Sequence, residues 1–211
     1  MTEQIIDKCR TQVKAIYDTF DASHDWQHIE RVLANAERIM EHEAADAILV
    51  ELAVLLHDVS DPKYKKQGED PEKEILESLG LSETIKTRIA DIIRQVSYKG
   101  GNGEAASSIE AMIVQDADRL DAIGAVGIAR AFAYGGAKGR KLYDWEELPR
   151  SGMTEEEYRN IPTSSTTHFY EKLLLLKNRM TTETGKQIAD ERHQFMLSFL
   201  EQLKKETDGN A

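Results

Sequence analysis

The sequence predicts an all-α protein. Apolar residues recur at helical spacing along most of the chain, glycine clusters punctuate it, and no run of β-branched residues alternates between turn signals. A length of 211 residues suits one domain, 1–211, with a helical core over about 20–135. A polar excursion is expected over about 136–163, where Pro149 and Pro162 sit among turn-forming residues, and C-terminal helices over about 164–206.

The first helix, near 3–20, rests on periodicity alone. The second, near 25–43, follows Ser23 and Asp25 as start signals; His24 and His28, four apart, share a face at its beginning, and Val32, Ala36 and Ile39 continue near the stripe of His28. The third, near 46–59, is the most apolar stretch. Its AILVELAVLL segment is broken by Glu51 and is too short to span a membrane. Asp70-Pro71 reads as a cap followed by an N1 proline, opening a helix near 70–79. Ser82 with Ile85 and Ile89 opens the next, near 82–97. Ile113, Ala117, Leu120 and Gly124 give the helix near 105–121 a buried face, and another follows near 123–134. Periodicity returns near 165–180 and 184–206, with one short helix expected at 154–160 inside the excursion.

A formal charge of −11 and a pI near 5.1 argue against a duplex nucleic-acid binder, which needs a basic face. They leave room for a small anionic substrate, because a metal or a few local cations can set the potential of one pocket. Cys9 is the only cysteine, so no internal disulfide can form, and a reducing, cytoplasmic setting is expected. MTEQIIDKCR lacks the apolar core of a signal peptide.

The segment AVLLHDVSD is where chemistry concentrates. It brings two titratable groups, His57 and Asp58, to the end of an apolar helix, and such burial costs free energy unless each finds a partner. His28 lies one turn beyond His24. Asp116, Asp118 and Asp121 crowd carboxylates beside the buried face of their helix, where a cation would relieve their repulsion. Arg119 supplies one such cation, and a solvated face accounts equally for Asp121. Two imidazoles with one or two carboxylates make a nitrogen and oxygen donor set suited to Mn²⁺, Fe²⁺, Mg²⁺ or Zn²⁺ with open positions. Register alone does not choose between Asp116 and Asp118.

His28 in H-x-x-R-V, the doublet His57-Asp58, and Asp118 in A-D-R-L together resemble the H…HD…D signature of the HD-domain metal-dependent phosphohydrolases. The strings SHDWQH, LLHDVSDPK, QDADRLDAIGAVGIARAFAYGG and HFYEKLLLLKNRMTTETGK resemble its small single-domain YpgQ-like and YedJ-like branch over nearly the whole chain. The resemblance implies an HD-type helical bundle whose core helices hold one divalent ion through His28, His57, Asp58 and Asp118. Mn²⁺ is the expected ion, with Mg²⁺, Fe²⁺, Co²⁺ or Ni²⁺ as alternatives. It implies hydrolysis of nucleotides, with pyrophosphohydrolysis of (deoxy)nucleoside triphosphates preferred over a nucleoside monophosphatase or other phosphoesterase. A nucleotide sensor without turnover is the alternative from outside enzymes.

His24 and Asp61 are the catalytic candidates beside those ligands. Asp61 can orient water or protonate a leaving group, or simply initiate a turn before Pro62. For phosphate oxygens the candidates are Arg119, Lys63, Lys65, and Lys138 and Arg140 in the basic loop YGGAKGRKLYD. That loop is not a P-loop, having neither a preceding strand nor a G-K-[ST] ending. His168 and Lys172, four apart, are expected on one helix face toward the substrate, although packing accounts slightly better for His168. No G-Y-P follows the doublet and no synthetase module accompanies it, which disfavours a cyclic-di-GMP phosphodiesterase and a bifunctional guanosine-tetraphosphate enzyme. The expected partners are a small nucleotide, with no duplex nucleic acid and no membrane, and a homodimer is compatible with the sequence.

Overall fold

A computed structural model describes residues 2–21, 24–61, 64, 66, 68–96, 104–150 and 163–209. Among these there are nine α-helices, one 3-10 segment and no strand. The helices are α1 (Thr2–Tyr17), α2 (Trp26–Met40), α3 (Ala47–Leu56), α4 (Pro71–Ser78), α5 (Glu83–Val96), α6 (Ile109–Asp121) and α7 (Gly124–Ala137). After them come α8 (Ser165–Glu171), the 3-10 segment Leu173–Arg179, and α9 (Glu183–Thr207). The helix expected at 154–160 lies outside the described residues. The chain folds as two compact units, Met1–Tyr98 with Gly103–Asp118, and Lys99–Asn102 with Arg119–Ala211.

In the first unit, α3 is the hub and packs against α1, α2 and α5. Leu49, Val50 and every residue from Leu52 to Leu56 are buried, as required of a helix that is apolar on all sides. The helix starts are fixed by side chains that satisfy first-turn N–H groups. Asp25 accepts from His28 N–H, Asp46 from Ile48 and Leu49 N–H, and Asp70 from Lys73 N–H ahead of Pro71. The Asp25 cap also sets where His28 points, because it fixes the first turn of α2. Asn35, buried on α2, donates to the Ala117 carbonyl at 3.1 Å and ties α6 to α2 one residue before Asp118.

In the second unit, α9 packs on α7 and on the 3-10 segment. Phe132, Phe169 and Phe199 form a ring cluster with centroids 5.7–6.3 Å apart. The helix expected over 165–180 is divided. Lys172 leaves helical geometry at φ −139°, ψ −62°, and the leucine run continues as the 3-10 segment. Leu173 and Leu176 are buried while Leu175 is 45% exposed. With three residues per turn, Leu173 and Leu176 fall on one face, which accounts for the tighter winding. Gly124 begins α7 at φ +74°, and a Cβ there would lie 2.9 Å from Arg192 Cγ. Arg192 is held close because Nη1 donates to the Leu120 carbonyl at 2.6 Å. Asp121 is not solvated, as one expectation allowed; it is buried and paired with Arg130 at 2.6 Å.

Candidate metal centre

The centre is built where α3 stops. His57 is the C-cap of α3, and its Nδ1 lies 2.8 Å from the Val54 carbonyl, which can only accept. Nδ1 is therefore the protonated nitrogen, and the Nε2 lone pair points away from α3. It points at His28 Nε2, 3.4 Å away. Asp58 Oδ2 lies 3.4 Å from His57 Nε2 and 3.6 Å from His28 Nε2. Asp118 Oδ1, from α6, lies 3.8 and 3.7 Å from the same two nitrogens. His28, His57, Asp58 and Asp118 are thus brought together within the first unit. The imidazoles are 0% and 2% exposed, the Asp58 and Asp118 side chains 19% and 30%, so the cluster opens to solvent on its carboxylate side.

Burial would raise the Asp58 pKa, yet His57, a hydrogen bond and charge from His28, and the charge of His24 together hold it well below the ordinary carboxylate range. Burial, with Asp58 close by, holds the Tyr17 phenol well above its usual value, so it stays a neutral donor. Two imidazole nitrogens facing each other at 3.4 Å beside two carboxylates call for a cation among them. The donor set fits a divalent ion, and ligand atoms of His28, His57 and Asp58 all lie within 4.8 Å of one another.

Asp116 is fully buried on α6. Two residues along an α-helix turn about 200°, so with Asp118 directed at the imidazoles Asp116 lies on the far side of the helix axis. His24 sits beside the cluster, its ring centroid 5.7 Å from that of His28. Tyr64 places its hydroxyl 2.8 Å from Asp21 Oδ2 and 3.2 Å from His24 Nδ1. The carboxylate can only accept, so it takes the single phenolic proton and His24 Nδ1–H donates to the phenol oxygen. Asp61 opens a turn, accepting through its carbonyl from Tyr64 N–H at 3.0 Å. Lys63 and Lys65 lie outside the described residues.

The remaining candidates belong to the second unit. Arg119 donates through Nη1 to the Arg179 carbonyl, which occupies part of the donor capacity assigned to phosphate. Lys138 Nζ and Arg140 Cζ stand 5.8 and 5.1 Å from the Tyr134 ring centre. His168 is only partly exposed, and desolvation followed by the charges of Lys172, Arg140 and Arg150 pushes its pKa down to about 3. Lys172 is the C-cap of α8, donates its N–H to the His168 carbonyl at 3.0 Å, and is among the charges that lower the His168 pKa.

Tyr17, Tyr64 and Asn35 were not singled out by sequence reasoning. Each acts through one polar group at long range in the chain, as in the contact of Tyr17 with Asp58, 41 residues on. No periodicity or local motif reports such a pairing.

Comparison with known proteins gives the class to which this helical fold belongs. The HD domain family model matches residues 25–123. YpgQ of Bacillus subtilis is 40% identical over 208 residues, 96% of this chain and 94% of that protein. A crystal structure from Lactobacillus plantarum superposes with TM-score 0.85 at 35% identity, covering 99% of both chains. An HD-superfamily hydrolase from Bacillus thuringiensis superposes with TM-score 0.76 at 41% identity, also over 99% of both. YpgQ has been crystallised in complex with ADP, and that structure matches with TM-score 0.75 over 98% of this chain and 100% of its own. The chain belongs to the HD-domain family. No helix among the described residues is long and apolar enough to cross a membrane.

Proposed function

We propose that this protein is a metal-dependent phosphohydrolase that cleaves (deoxy)nucleoside triphosphates to monophosphate and pyrophosphate. The observation that carries the metal dependence is the approach of both imidazole Nε2 atoms to each other and to Asp58 and Asp118 within 3.4–3.8 Å. His28, His57, Asp58 and Asp118 are the residues that would hold the ion. A divalent ion bound there lowers the pKa of its water and offsets negative charge on a phosphate. His24, with Nδ1–H fixed by Tyr64, keeps Nε2 as a lone pair able to take or hold a proton. Asp61, at the turn beside the doublet, is the second candidate for that task.

Nucleotide as the substrate class is supported by the ADP bound to YpgQ, a relative across nearly the full chain. Lys172 and Arg140, whose charges act on His168, have the chemistry of a phosphate-chain binder, and Lys138, Arg119, Lys63 and Lys65 are the further candidates, whereas Arg150 is already forked onto Glu171 at 2.7 and 2.9 Å. Several cations suit a polyphosphate better than one phosphoryl group, which favours triphosphates.

The test is product analysis. Incubated with Mn²⁺ and a deoxynucleoside triphosphate, the protein should yield monophosphate and pyrophosphate on anion-exchange chromatography. Exhaustive chelation should stop the reaction, and Mn²⁺ should restore it. Orthophosphate released from a monophosphate, with triphosphates untouched, replaces the substrate assignment by a nucleotidase. Full activity in metal-free protein removes the metal from the mechanism.

A further inference from the structure

Given the metal centre proposed above, we infer that Tyr17 is a positioning residue for Asp58, its hydroxyl built into the end of α3 where a backbone hydrogen bond would otherwise run. In a continuing α-helix the Asp58 N–H would donate to the Val54 carbonyl, and in a 3-10 turn to the Leu55 carbonyl. Both acceptors are engaged elsewhere. Val54 accepts from His57 Nδ1 at 2.8 Å, and Leu55 accepts from the Tyr17 hydroxyl at 3.1 Å. Asp58 N–H donates instead to the Tyr17 oxygen at 3.3 Å. One phenol therefore bridges the two backbone groups, donating to one and accepting from the other.

The consequence is geometric. With the hydroxyl interposed, the chain leaves α3 in tight turns, Val59 N–H donating to Leu56 at 3.3 Å and Asp61 N–H to Asp58 at 3.0 Å. His57, the C-cap, keeps helical dihedrals at φ −60°, ψ −29°, and Asp58 follows at the first turn past the helix, its Oδ2 3.6 Å from His28 Nε2. Tyr17 is itself held rigidly. It is the last residue of α1, it is 0% exposed, α1 packs on α3, and its ring meets Phe20 edge-on at 5.4 Å. It also precedes the segment 25–123 matched by the HD domain model, so α1 completes a centre whose ligands all lie within that segment.

Tyr17→Phe keeps the ring and removes the bridge. Mn²⁺ affinity, read by electron paramagnetic resonance of the free ion, should fall about 10- to 100-fold, the range for losing a partner that orients a ligand. Val13→Ala, on the same buried face of α1, is the comparator: it loosens the α1 packing without touching the doublet and should bind Mn²⁺ like the wild type. Equal affinity in Tyr17→Phe and wild type overturns the inference alone, as does an equal loss in Val13→Ala. A wild type that binds no Mn²⁺ sinks the metal centre and the inference together. Should Tyr17→Phe not fold, amide exchange in the wild type decides. The Asp58 N–H should exchange as slowly as amides in the middle of α3, and exchange at the rate of an open turn refutes the bridge.

Discussion

Exchanging one carboxylate at a time on α6 tests the centre most sharply, because register makes Asp116 and Asp118 unequal. Asp118 Oδ1 borders both imidazole nitrogens at 3.7 and 3.8 Å. At about 4 Å and an effective dielectric of about 20, removing one unit charge costs about 4 kcal/mol of attraction for each charge it faced. Against a divalent ion that is about 8 kcal/mol at most, and solvent reaching the 30% exposed side chain screens part of it, so Asp118→Asn should weaken Mn²⁺ binding by at least about a thousandfold, at about 1.4 kcal/mol per decade. Asp116, across a helix roughly 10 Å wide, would contribute less than half as much by the same relation. Its carboxylate is fully buried, so Asp116→Asn should lower folding stability more than metal affinity. The assay pairs Mn²⁺ titration with circular dichroism and urea unfolding, so that lost ligation and lost fold are separated. A severe loss of binding in Asp116→Asn, with Asp118→Asn close to wild type, reverses the ligand assignment and refutes the register argument.

Asp121→Ala should destabilise the protein by about 3 kcal/mol in urea unfolding, because it removes the carboxylate paired at 2.6 Å with the largely buried Arg130; a change below about 1 kcal/mol would mean that the pair is effectively solvated. His168 predicts a pH dependence. Its folded pKa of about 3 lies below the ordinary value of 6.5, so the unfolded chain binds the extra proton between them. Stability from this group is complete above about pH 6.5 and declines as pH falls toward about 3, by up to a few kcal/mol. Urea unfolding at pH 7 and pH 4.5 should show His168→Gln losing less stability than the wild type over that interval, and identical losses would refute a desolvated, cation-facing imidazole.

The helical class was legible because its signals are local. Asp25, Asp46 and Asp70 each cap the next turn, and α3 is apolar all round. The candidate ligands were legible for a different reason: His57 and Asp58 are adjacent at the end of an apolar run, which makes them conspicuous in one dimension. What stayed hidden depends on the third. Sequence spacing predicts one helix over 165–180, yet Lys172 turns out of helical geometry and the leucines rewind as a 3-10 segment to bury two of their number. Asp121 reads as one acid in an acidic chain until the fold lays Arg130 beside it.

Tyr17 marks the boundary between these two kinds of information. In the sequence it is one more apolar position at the end of an amphipathic helix, and its burial would be predicted for its ring alone. Its hydroxyl matters only because α1 packs on α3 so that the phenol reaches the spot where the helix ladder breaks. The doublet announces which atoms can meet a cation, but adjacent residues in a continuing helix point about 100° apart, so how they converge on His28 depends on the backbone at the helix end. Some group must take the backbone bonds that the break leaves open, since buried polar groups without partners are costly. The imidazole of His57 takes one of them and the phenol of Tyr17 takes the other two. The capacity to bind thus resides in residues that a motif can name, whereas the angle at which they converge is set by a side chain that no motif around the doublet contains.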